Sequence, residues 1–163
     1  MNILSKSVKG LSFVAMAGIS LVAIGNTARA EPQVIELTQV ACQFLEVEDD
    51  HGYSSTKKAD CEAINEATGK ERLAKSKTLK LKPGEYIFRV KNENVPYELG
   101  FWIREKDYNW ANPLHKLNKT SVSGGGLYEG ETLDYEVTLK EGEYLFSCPL
   151  NTTLDYNLVV EGS

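Results

Sequence analysis

Three cysteines and two histidines carry the most versatile chemistry in this chain. A thiolate close to imidazoles can hold copper or another thiophilic ion, or serve as a nucleophile. Cys148 closes the run Tyr144-Leu-Phe-Ser-Cys148. Alternation along it puts Tyr144, Phe146 and Cys148 on one face of a strand and Leu145 and Ser147 on the other. Pro149 has no amide hydrogen to give a ladder, so the strand should stop there. Cys42 and Cys61 flank a polar stretch rich in Asp, Lys and Ser. Three cysteines allow three single pairings. Cys42–Cys61 is the expected one, and closing that loop contributes on the order of 3 kcal/mol. Cys148 is then the odd thiol, and a buried free cysteine is often only a small hydrophobe.

His115 sits in a polar loop between Leu114 and Lys116. If that loop folds over the strand end, His115 and Cys148, with Glu98 or Asp155 as a carboxylate, could hold Cu(I) or a similar ion. A solvated surface histidine is the plainer reading. A Cys148–His115–Asn151 hydrolase constellation is formally available, but no helix N-terminus activates the thiol and the order matches no signature. No catalytic residue is assigned. The run Gly124–Gly126 is followed by neither a helix nor a lysine, which excludes a phosphate loop. Asn118 and Asn151 each head an Asn-x-Thr motif, a glycosylation signal only in a eukaryotic secretory route.

The elements that must position these groups are mostly strands. Val34–Val40 reads as a first strand, with Phe44–Val47 continuing it after a kink. Lys57–Thr68, carrying Ala59, Ala63, Ile64 and Ala67, reads as a short helix that Gly69 ends. Thr78–Leu81, Tyr86–Val90, Tyr97–Arg104, Thr132–Leu139 and Asn157–Val160 follow as strands. Phe101, Trp102 and Ile103 suggest burial on both faces of theirs. Ser121–Gly126 is expected to be a turn or a close-approach segment. One phrase occurs twice, as Leu81-Lys-Pro-Gly-Glu-Tyr-Ile-Phe88 and as Leu139-Lys-Glu-Gly-Glu-Tyr-Leu-Phe146. Two copies so far apart fit equivalent strand–turn–strand corners, with each tyrosine bonded back to the chain. Seven or eight strands with turns between them make an antiparallel sandwich.

Residues 1–30 read as a secretory signal: Lys6 and Lys9, an apolar stretch Leu11–Ile24 and an Ala28-Arg29-Ala30 cleavage site. Its style suggests a bacterial periplasm. Residues 31–163 are then a single domain with enough chain for a core. Removing the leader's three cations takes the formal charge from −5 to −8. That acidity disfavours nucleic acid and anionic membrane as partners.

The stretch Gly142–Val160 resembles the end of a cupredoxin, the small blue-copper β-sandwich. That family has a G-x-Y-x-F-x-C strand, a short proline-containing loop and a final Val-rich strand. Asn92-Glu-Asn-Val-Pro-Tyr97 is similar to the family's N-x-x-x-P-H segment. The resemblance spans Thr78–Val160 and places Tyr97 and Asn151 at the histidine positions and Tyr156 near the methionine position. Only Cys148 keeps a ligand identity. A blue-copper centre needs two imidazoles and a thiolate. A phenol neutral at pH 7 and an amide oxygen replace them poorly.

The resemblance implies an all-β, cupredoxin-like Greek-key sandwich with a small helical insertion. Tyr97, Cys148, Asn151 and Tyr156 would line a polar pocket at one end, shaped by Pro96, Glu98 and Pro149. The plainer reading packs Tyr97 and Tyr156 in the core and makes Asn151 a loop tether. The expected function is that of an exported, non-enzymatic binding or accessory protein for a periplasmic protein or small ligand, with no cofactor. The alternative is a copper-binding, copper-handling or electron-transfer protein using Cys148 and His115.

Overall fold

A computed structural model describes residues 31–109, 111–113 and 122–162. Residues 1–30, where a secretory signal is expected, and His115 lie outside the described residues. Nine strands and one helix are found among those described: β1 Gln33–Val40, β2 Gln43–Phe44, α1 Lys58–Lys75, β3 Leu79–Leu81, β4 Gly84–Asn92, β5 Leu99–Glu105, β6 Val122–Leu127, β7 Thr132–Leu139, β8 Gly142–Ser147 and β9 Tyr156–Val160.

The strands form two sheets, in the order β2-β1-β4-β7 and β3-β9-β8-β5-β6. Alternation fills the space between them. Leu37, Phe88, Val90 and Val137 from one sheet meet Phe101, Ile103, Phe146 and Leu158 from the other, all buried. Edge-to-face ring pairs, such as Phe44 with Phe101 (centroids 6.1 Å apart) and with Phe146 (5.5 Å), interlock the layers. This two-layer sandwich with one helical excursion is the architecture the sequence implies. It is not wholly antiparallel, because β1 runs parallel to β4 and β3 parallel to β9.

Both copies of the repeated phrase are corners where the chain changes sheet, β3 to β4 and β7 to β8. The Tyr86 hydroxyl donates to the Lys82 carbonyl (2.8 Å) and Tyr144 to the Lys140 carbonyl (3.0 Å). Each ring is buried and its hydroxyl closes the turn four residues back, as the sequence led us to expect.

Two further expectations are corrected. Gly69 does not end the helix, which continues to Lys75. A side chain at position 69 would put its Cβ 2.9 Å from Leu154 Cδ2, so this glycine serves close packing in mid-helix. The segment before Leu127 is a strand, β6, at the edge of the five-stranded sheet. Gly124 answers a close approach, since a Cβ there would stand 3.0 Å from the Tyr135 ring, so that half of the expectation holds and the turn does not.

Candidate functional site

Cys148 follows directly on β8, and its side chain is fully buried. The sulfur accepts two backbone hydrogen bonds, from the amides of Gly100 and Asn151 (3.3 Å each). The loop after it is pinned by Thr153, whose Oγ1 accepts from the Cys148 amide (2.8 Å) while its own amide donates to the Cys148 carbonyl (3.2 Å). Burial pushes the Cys148 thiol up, against the pull of those two amides. The sulfur is therefore held as a protonated thiol.

Asn151 is also fully buried, and every polar atom of its amide is used. Its Nδ2 donates to the Val40 carbonyl (2.8 Å), and its Oδ1 accepts from the Cys42 amide (3.1 Å) and the Tyr97 hydroxyl (3.3 Å). Tyr97 is half-buried, and its hydroxyl shares a 2.7 Å hydrogen bond with Ser55 Oγ. Burial raises the Tyr97 phenol, which opposes the deprotonation a metal would require. Tyr97 and Asn151, which the sequence resemblance places at histidine positions, thus bond to each other.

The Cys42–Cys61 disulfide is present and lies against this pair. Cys61 Sγ is 3.4 Å from Asn151 Oδ1 and 4.0 Å from the Tyr97 hydroxyl. Tyr97, Cys148 and Asn151 are thus brought together, but in a closed cluster rather than an open pocket. Tyr156 stands apart on β9 in the core, and its hydroxyl bonds Glu48. Glu98 accepts from the Gly126 amide (2.7 Å), and Asp155 is paired with Arg104 (2.7 Å), so both carboxylates proposed near Cys148 are engaged elsewhere. Pro96 and Pro149 are exposed at the loop surfaces. Among the described residues no three His, Cys, Asp or Glu side chains converge to hold a metal ion. His51 stacks on Tyr53 and lies 3.6 Å from Glu48.

Sequence reasoning missed what covers the cluster. One face of α1 runs down the Cys148 loop. Cys61 meets Asn151, Asn65 Nδ2 donates to the Thr152 carbonyl, and Gly69 packs on Leu154. A turn further on, Arg72 clamps Glu48 through Nε (3.1 Å) and Nη2 (2.5 Å), and reaches the Cys42 carbonyl (3.1 Å) and Asn65 Oδ1 (2.8 Å). Spacings of four, four and three put all four residues on one helical stripe. That stripe was the available signal. Two openings flank the cluster. A cavity of about 310 Å3 is lined by Glu48, His51, Tyr53, Arg72 and Lys77. A mostly apolar groove of about 460 Å3 runs along Gly100, Trp102, Gly124, Pro149 and Leu150.

Among solved structures, auracyanin B aligns with a TM-score of 0.46 at 12% identity, covering 84% of this chain and 95% of that one. Reduced rusticyanin gives 0.42 at 14%, covering 82% and 83%. A multi-copper oxidase from Pediococcus acidilactici gives 0.37 at 12%, covering 96% of this chain and 31% of that one. The chain itself folds as a two-sheet β-sandwich with one helical excursion. No protein-family model matches the sequence, and no curated protein matches it. No helix among the described residues is long and apolar enough to cross a membrane.

The buried core of the sandwich makes one pH prediction. Burial raises Cys148, raises Tyr97 and Tyr144, and pushes Tyr135 up to about 12; burial and Glu48 raise Tyr156. Each is neutral when folded and ionises more easily once unfolded. The stability they add is complete below the unfolded thiol value, about 8.5, and is lost as pH climbs through the folded values. Urea-unfolding free energy should therefore fall above about pH 8.5 and more steeply past about 10. A flat profile over that range would contradict the burial of these groups.

Proposed function

We propose that this chain is an exported, non-enzymatic, cupredoxin-like binding or accessory protein in which the metal-ligand positions have become a structural clasp. The observation that carries this reading is the hydrogen bond from Tyr97 to Asn151, sealed by the disulfide sulfur of Cys61. The donor set does not fit type 1 copper: it offers one protonated thiol, a phenol raised by burial and an amide with no free atom, where two imidazoles and a thiolate are needed. The clasp joins β1, the loop before β5 and the Cys148 loop, so it holds the end of the sandwich rigid. Recognition then falls to the surfaces left open beside it, the apolar groove at Pro149–Leu150 and the cavity at His51–Lys77. Export is supported by the leader-like residues 1–30 and by a disulfide, which persists in oxidising compartments.

The test is copper titration of the purified protein, followed by visible absorption and thiol counting under native and denaturing conditions. The expected result is no thiolate-to-copper band and one thiol that reacts only after denaturation. An intense band abolished by Cys148→Ala would overturn the clasp reading and establish copper handling instead.

A further inference from the structure

We propose that α1 is a lid on the Cys148 loop, latched by the Cys42–Cys61 disulfide, so that thiol–disulfide exchange sets whether Tyr97, Asn151 and Cys148 can be reached. This rests on the clasp reading and adds its regulation.

The helix is poorly held by the hydrophobic effect. Of its 18 residues the fully buried ones are Cys61, Gly69 and Arg72, none a large apolar side chain. Ile64 and Leu73 are only partly buried. Its attachments are instead discrete. The disulfide fixes the first turn, and the Arg72–Glu48 ion pair, with both side chains 4% exposed, fixes the fourth. Between them stand the Asn65 bond to Thr152 and the contact of Gly69 with Leu154. Breaking the first fastener leaves the second in place, which makes the helix a hinge and not a free segment. The end that lifts is the one over the clasp: Cys61 touches the Asn151 side chain and Tyr97, and the Asn151 backbone N–H donates to the Cys148 sulfur.

The chemistry is a two-electron exchange with a dithiol. One thiolate of the reductant attacks the Cys42–Cys61 bond to give a mixed disulfide, and its second thiol displaces the remaining cysteine. The reductant leaves as a disulfide, and Cys42 and Cys61 gain two electrons and two protons as thiols. Both bridge cysteines are fully buried, so the approach is through Tyr53 and Ile64, the half-buried side chains packed on them. Reoxidation by a disulfide reverses each step and reseals the cluster.

The experiment compares the rate at which N-ethylmaleimide labels Cys148, read by peptide mass spectrometry, in the wild-type protein and in Cys42→Ala/Cys61→Ala. Labelling at least about tenfold faster in the double variant, with an unchanged circular dichroism spectrum, is expected for local opening. Equal rates in two folded proteins would overturn the lid and leave the clasp reading intact, whereas a copper band in the latched protein would remove both. Should the double variant not fold, hydrogen exchange on the wild type with and without dithiothreitol decides. Protection lost over residues 58–66 but kept over 68–75 and the sheets supports the hinge. Protection unchanged throughout, or lost everywhere at once, refutes it.

Discussion

Arg72→Ala is expected to lose about 3–5 kcal/mol of folding stability, the cost of stranding a buried charge. Arg72 and Glu48 are each almost wholly out of water, and four hydrogen bonds from the guanidinium end on Glu48, Asn65 and the Cys42 carbonyl. Alanine removes the positive charge and leaves the Glu48 carboxylate with the Tyr156 hydroxyl and no cation of matching burial. His51 at 3.6 Å is a third exposed and a partial substitute at most. A domain of this size holds only about 5–15 kcal/mol in total, so urea denaturation should show a large fall in midpoint.

The pair itself is not what stabilises the fold most. Arg72→Met combined with Glu48→Gln should recover much of the loss, because no unpaired charge remains. A double variant as unstable as Arg72→Ala alone would contradict this and place the loss in the contacts of Arg72 to Asn65 and Cys42. Arg72→Ala within about 0.5 kcal/mol of wild type would mean that water reaches Glu48 through the adjoining cavity.

The parts of this molecule written in local pattern were legible. The alternation of Tyr144, Phe146 and Cys148 survives as three buried side chains, because a strand has no other way to sort its faces. The doubled phrase located both sheet-changing corners, because proline or glutamate before glycine, with tyrosine two residues later, builds the same turn twice. The helix misled for a physical reason. Ala59, Ala63 and Ala67 raise helix propensity and are exposed, while the inward-facing stripe is Cys61, Gly69 and Arg72, with Asn65 partly buried between them. Polar and glycine side chains do not register as a core-facing pattern, since they bury by bonding and close approach. Glu48 was invisible in an aperiodic loop for the same cause: its partners lie 24 and 108 residues away. Parallel pairing of β1 with β4 likewise depends on which strands meet, which no local window contains.

Gly100→Ala should cost about 2–3 kcal/mol, an overpacking loss out of proportion to one methyl group. A Cβ at position 100 would fall far inside contact distance of the Gly124 carbonyl oxygen and 3.2 Å from Gly125 Cα. Both are backbone of β6, at the place where the β5–β6 register shifts between Leu99 and Phe101. Neither can swing aside, so the two strands must separate or bend. The same residue is tied on its other atoms, its amide to Cys148 Sγ (3.3 Å) and its carbonyl to Gln39 Nε2 (2.8 Å). Movement of β5 therefore loosens the Cys148 thiol as well as the sheet. Gly125→Ala is the control. Its Cβ would meet Glu98 Oε1 at 2.7 Å, the tip of an exposed side chain that can turn away by giving up its solvent-exposed hydrogen bond from the Gly126 amide, and the loss should be about 1 kcal/mol. Urea denaturation of the two variants separates the cases, since they differ by one methyl group placed against backbone or against a mobile carboxylate. Equal losses would show that the approach of the β5 and β6 main chains is not what position 100 reserves for glycine.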